Sequence, residues 1–245
     1  MAQTSINYKN ENFTLSYELL NLDKKPILLI LHGWGANKEL MKTAFKDSFK
    51  EYKHLYIDLC GFGGSNAPLV LNSLDYAQIL SSFLKEKDFS PELLMGHSFG
   101  GKICTILALE QEKSPKAIIL LSSAGILWQK RLSIRLKIKL FKLLKGLGFS
   151  RFYKFFASKD AINLSPLMYE TFKSVVGEDF CSYFARLKIK TLIFWGIDDK
   201  ATPLKSGEKI HSLIKNSSFY ALKGDHFFFL NKENIDFIDE LTTRI

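Results

Sequence analysis

Five short runs of consecutive apolar residues constrain this chain more than anything else in it: Pro26–Leu31, His54–Leu59, Glu92–Met95, Ala117–Leu121 and Thr191–Trp195. They do not alternate apolar with polar. Unbroken apolar runs of this length suit parallel strands whose two faces are both covered by helices. Between them lie longer segments of helical periodicity, such as Leu71–Lys85 and Lys102–Gln111. Strand–helix alternation of this kind predicts an α/β fold with a doubly wound, mostly parallel sheet. The N-terminus departs from the pattern. Ile6–Tyr8 and Phe13–Leu20 flank the polar Lys9–Asn12, which predicts an antiparallel hairpin at one sheet edge. A last strand is expected at Ser218–Leu222, before a C-terminal helix at Lys232–Leu241.

The alternation stops between Gly125 and Lys188. A basic helical stretch, an aromatic cluster (Phe149, Phe152, Tyr153, Phe155, Phe156) and a third helix-like segment, Pro166–Val176, occupy that interval. We read 126–187 as a helical lid inserted into a core formed by 1–125 and 188–245. At 245 residues the core is one domain's worth.

Net charge is +9, and it is local. Residues 126–160 hold ten Lys or Arg and one acid, while the remainder carries 24 of each sign. A leucine stripe (Leu132, Leu136, Leu140, Leu143, Leu147) at helical spacing is surrounded by Lys130, Arg131, Arg135, Lys137, Lys139, Lys142 and Lys145. One reading is a lid helix with solvated lysines. The sharper one is a face for an anionic partner, either an acidic acyl carrier protein or an anionic membrane surface. Nothing points to nucleic acid. Cys60, Cys104 and Cys181 are too few and too scattered for a disulfide framework or a zinc site, and fit a reducing cytoplasm. No apolar run approaches the roughly 18 residues of a membrane span, and the N-terminus lacks the pattern of a signal peptide.

The chemistry is concentrated at Gly96-His97-Ser98-Phe99-Gly100-Gly101. It is a G-x-S-x-G sequence after a strand and before a helix, the context in which such a serine is displayed on a strained turn. A serine hydroxyl needs a base to be a nucleophile. Of five histidines, His226 follows the last strand, where a histidine completes the chain order Ser, acid, His. His54 begins a strand, His211 lies on a polar helix face, His32 belongs to a turn, and His97 adjoins Ser98 but must point away from it. The acid follows the penultimate strand, where both Asp198 and Asp199 stand. Two backbone N–H groups must meet the oxyanion. These are Phe99, after the nucleophile, and Trp34, in the loop His32-Gly33-Trp34-Gly35. The glycine-rich turn Asp58–Ser65 lacks the endings of a phosphate-binding loop and reads as structural.

On these motifs the sequence resembles the α/β-hydrolase superfamily from about Tyr17 to the C-terminus. The matching elements are H-G-W-G at His32–Gly35, D-x-x-G-x-G-x-S from Asp58 to Ser65, G-H-S-F-G-G at Gly96–Gly101, W-G-x-x-D-x-x-x-P from Trp195 to Pro203, and the late His226. The resemblance implies Asp199, not Asp198, as the acid. Asp225 precedes the histidine where the superfamily usually has glycine, and Cys60 replaces its usual proline. The H-G-W-G loop is similar to that of pimeloyl-ACP methyl ester esterases. Ser158–Asp179 is similar to bacterial proteins named as meta-cleavage product (C–C bond) hydrolases, which carry Asn before the nucleophile and Trp after the histidine, where this chain has His97 and Phe227. The implied activity is ester or thioester hydrolysis through an acyl-enzyme. The alternatives are C–C hydrolysis with the same triad or a non-catalytic binding protein on this fold. No metal or organic cofactor is implied.

Overall fold

Each of the five apolar runs is a strand of one eight-stranded sheet. In this computed structural model the described residues are 2–111, 113–128 and 164–244. The strands are β1 (Ala2–Tyr8), β2 (Glu11–Leu20), β3 (Ile27–Leu31), β4 (Lys53–Ile57), β5 (Pro91–His97), β6 (Ala117–Leu121), β7 (Lys190–Gly196) and β8 (Ser217–Leu222). Their order is β1-β2-β4-β3-β5-β6-β7-β8. β2 pairs antiparallel with β1 and β4, and all other pairs are parallel. Successive residues of β3 pass into different cores, Leu29 and Leu31 on one face, Leu28 and Ile30 on the other. That two-sided burial is why its sequence does not alternate.

The hairpin is tighter than the polar run Lys9–Asn12 suggests. Tyr8 pairs with Glu11, so only Lys9 and Asn10 turn. Both have positive φ (51° and 64°), the backbone of a two-residue turn whose twist matches its strands.

The helices are α1 (Lys38–Phe45), α2 (Ser73–Glu86), α3 (Phe99–Glu110), α4 (Pro166–Val176), α5 (Cys181–Arg186), α6 (Leu204–Leu213) and α7 (Lys232–Thr242). α2 starts at a capping box between Asn72 and Asp75, and α4 at Ser165, which caps Met168, followed by Pro166 at the first turn. α3 begins three residues before the expected Lys102, because Gly100 and Gly101 are poor helix formers and mask its start in sequence. α4 matches its expected bounds. Met168 and Val175 on α4, and Phe180 and Phe184 beside and on α5, join the core cluster that contains Ile103 and Leu107 of α3. The leucine stripe, the aromatic cluster at 149–156 and the basic residues from Lys130 to Lys145 lie outside the described residues. No described helix is long and apolar enough to cross a membrane. Cys60 and Cys104 are buried free thiols, as core residues should be.

Candidate active site

β5 hands directly to α3 through Ser98, whose backbone (φ 49°, ψ −111°) is one that side-chain-bearing residues rarely adopt. Such a conformation costs about 1–3 kcal/mol and persists only where surrounding contacts impose it. Here the Ser98 N–H donates to Leu121 O (2.9 Å), and Ser98 O accepts from Gly101 N (3.1 Å) and Ala124 N (3.0 Å). The turn closes because its flanks lack side chains. A Cβ at Gly96 would stand 2.4 Å from Gly100 O, and one at Gly100 would stand 2.7 Å from the carbonyl oxygens of Leu31 and His32. Phe99 is the first residue of α3, where backbone N–H groups have no partner within the helix.

Asp199 and His226 meet at the carboxyl ends of β7 and β8. His226 Nδ1 lies 2.7 Å from Asp199 Oδ2. The other oxygen, Oδ1, accepts from the N–H groups of Ala201 (2.8 Å) and Thr202 (2.9 Å). Burial pushes the Asp199 carboxyl up; the bonds and charge of His226 and the donors of Thr202 outweigh it, leaving the group below its usual range. Asp198, one residue earlier, is exposed. Thr202, not anticipated from sequence, puts its hydroxyl 2.8 Å from Asp199 Oδ2 and 3.3 Å from His226 Nδ1. The Asp225 that replaces the usual glycine does not displace the histidine. Its carbonyl oxygen would be 2.1 Å from a Cβ at Gly196, so the histidine loop packs directly on the end of β7.

His97 does turn from the serine, and it lies against His226. Its ring centroid is 4.6 Å from that of His226, and its Nε2 donates to His226 O (3.0 Å). Burial, then the neighbouring His226, drives its pKa well below the ordinary histidine value, so the ring is neutral.

His32 does more than occupy a turn. It is fully buried, and burial pushes its pKa down to about 4. Neutral, it donates from Nδ1 to Gly33 O (2.7 Å) and accepts at Nε2 from Leu59 N–H (3.0 Å). Ala36 N–H also binds Gly33 O (3.2 Å). Gly33 C=O and Trp34 N–H belong to one planar trans peptide and point opposite ways. Anchoring the carbonyl therefore fixes the direction of the Trp34 N–H. The loop lies on the Ser98 turn: a Cβ at Gly33 would be 3.1 Å from Ser98 Cβ. Gly35, at φ +76°, turns the chain toward α1. The Asp58 turn is structural, as expected. Its buried carboxylate binds Lys38 Nζ (2.7 Å) and the N–H groups of Lys38 and Gly64.

Ser98, His226, Gly33, Trp34 and Phe99 all line one cavity of about 330 Å³. Its remaining described wall is mainly apolar, with Phe172, Val175 and Val176 from α4 facing Ala124 and Phe227. Among the described residues no group of three or more His, Cys, Asp or Glu could hold a metal.

Residues 26–140 match the family described as alpha/beta hydrolase fold. A probable 1-acylglycerol-3-phosphate O-acyltransferase of Oryza sativa is 30% identical over 109 residues, 42% of this chain and 26% of its own length. The chain thus spans about a quarter of that relative. Lipase 3 of Moraxella sp. is 26% identical over 79% of this chain and 69% of its own length. A pimeloyl-[acyl-carrier protein] methyl ester esterase of Pseudoalteromonas atlantica is 29% identical over 40% of this chain and 38% of its own. Among solved structures, an esterase from Exiguobacterium antarcticum superposes with a TM-score of 0.75 at 20% identity, covering 99% of both chains.

Proposed function

We propose that this chain, an α/β hydrolase by fold and by the family it matches, is a serine hydrolase that cleaves an ester or thioester with an apolar acyl group. The observation that carries this reading is the convergence of a strained Ser98, the Asp199-bound His226 and the oxyanion loop on one apolar cavity. With Nδ1 engaged by Asp199, His226 has Nε2 free to take the Ser98 proton. Ser98 Oγ then bonds to the substrate carbonyl carbon, and the oxygen that gains charge is met by the N–H groups of Trp34 and Phe99. Collapse breaks the bond to the leaving group, which receives the proton from His226. Water, deprotonated by the same histidine, then attacks the acyl carbon; the bond to Ser98 Oγ breaks, His226 returns the proton to that oxygen, and the acid is freed. Asp199 holds the imidazole in the tautomer both half-reactions need, and Thr202 braces that pair.

The relatives named as a lipase and as an ester-cleaving esterase support the same class of substrate. The test is a panel of p-nitrophenyl esters, acyl-thioesters and a vinylogous diketone on wild type and Ser98→Ala. Turnover of esters or thioesters that is lost in the variant is the expected result. Turnover of the diketone alone would replace this reading with C–C hydrolysis, and no turnover of any would leave a binding protein.

A further inference from the structure

One ion pair near the cavity, its lysine buried and its glutamate a quarter exposed, has no part in the reaction just described. Lys102, in the first turn of α3, is 2% exposed. Its ammonium reaches across to the other wall, donating to Val175 O (2.6 Å) on α4 and to Glu178 Oε2 (2.6 Å), and it lies 4.3 Å from the centre of the Phe180 ring. Glu178 is held in turn by the N–H (2.9 Å) and hydroxyl of Ser73 at the start of α2. Burial lowers the Lys102 pKa, and the charge of Glu178 works against that.

Beside the catalytic cavity lies a second of about 200 Å³. The two share Lys102, Ala124, Ala201 and Thr202 on the core side, and Val175 and Val176 on the α4 side. Lys102 is the side chain that starts on the first wall and ends on the second. The second cavity is the more polar, with Ser123, Glu178 and Ser206 in its lining, and it does not touch His226.

We propose that Lys102, tied to Val175 and Glu178, is a crossbar that closes the acyl end of the catalytic cavity and sets the acyl-chain length this protein accepts. The leaving group must stand at His226, which returns its proton. The substrate portion running away from His226, toward the second cavity, is therefore the acyl chain. Its path ends at the methylenes of Lys102. Lys102 is thus a specificity-determining residue; this rests on the esterase reading above.

The experiment compares kcat/KM for p-nitrophenyl butanoate and dodecanoate in wild type, K102A/E178Q and K102M/E178Q. Both variants remove the pair together, so neither strands a charge. Methionine keeps the length of the bar and alanine removes it. The dodecanoate-to-butanoate ratio should rise about tenfold or more in K102A/E178Q, and should stay at the wild-type value in K102M/E178Q. An unchanged ratio in K102A/E178Q, or equal shifts in both variants, would overturn the crossbar. If the alanine variant does not melt cooperatively, K102L/E178Q, which removes only the end of the bar, carries the same comparison. A wild type that cleaves neither these esters nor the matching acyl-thioesters overturns the proposed activity itself; an active wild type with unresponsive ratios overturns only the role of Lys102.

Discussion

Protonating His32 should cost this protein stability in a defined pH window and disturb the His32–Gly35 loop, proposed above to meet the oxyanion. The imidazole must be neutral, because it accepts Leu59 N–H at Nε2 while donating to Gly33 O from Nδ1. Its pKa falls from 6.5 to about 4 on folding, with burial as the main cause. In the unfolded chain the ring binds its proton as pH falls through 6.5, while the folded protein resists until about pH 4. The unfolded state therefore gains protons first, and stability must fall between those two values. At 1.36 kcal/mol per pH unit this amounts to about 3 kcal/mol, lost by pH 4 and fully retained above pH 7. Urea unfolding followed by tryptophan fluorescence from pH 7.5 to 4 measures it. Wild type should lose about 3 kcal/mol more over that range than His32→Asn, which cannot titrate there. His54 and His97, also depressed by burial, remain in both proteins and cancel. At pH 8, the same substitution should lower kcat/KM roughly 10–100-fold, less than the 10²–10³ of deleting an oxyanion donor outright. Equal pH slopes in the two proteins, or an unchanged kcat/KM, would refute the reasoning.

Three further outcomes are expected. Asp199→Asn should lower kcat by about 10⁴, because an amide cannot hold the imidazole in the required tautomer, whereas the exposed Asp198→Asn should leave kcat/KM near wild type; steady-state kinetics on one ester decides. Thr202→Val removes the hydroxyl bonded to Asp199 Oδ2 and should reduce kcat about tenfold with KM unchanged, in line with one lost hydrogen bond to a charged group. The basic stretch 126–160 is proposed to meet an anionic partner. Retention on anionic vesicles or an acidic acyl carrier protein at low salt should be abolished by reversing Lys137, Lys139 and Lys142 to Glu, with turnover of a small ester retained, and absence of binding by wild type would dismiss the partner.

The parallel strands were legible because burial on both faces leaves few polar residues to interrupt them. That Ser98 and His226 line one cavity, with Asp199 bonded to His226, was legible because glycine spacing and strand ends are local signals. Asp199 could be separated from Asp198 only by its distance from Trp195-Gly196, and the structure gives the physical ground: one side chain is buried and bonded, the other exposed. α1 and α5 went unseen, since short helices carry few turns of periodicity, and α6 showed only as the helix face of His211. The contacts that shape the cavity lie far apart in the chain. Lys102 meets Glu178 across 76 residues, and His97 meets His226 across 129. No sequence window contains both members of either pair. Thr202 sits inside the W-G-x-x-D-x-x-x-P stretch, but spacing says nothing of where its hydroxyl points.

The claim on which everything else depends is that Ser98 is the nucleophile, activated by His226. Intact-mass and peptide mass spectrometry after treatment with a fluorophosphonate tests it most directly. The account predicts a single adduct on Ser98, none in Ser98→Ala, and strongly slowed labelling in His226→Ala with the fold retained. Ester hydrolysis that persists in Ser98→Ala, or an adduct on another residue, would contradict it.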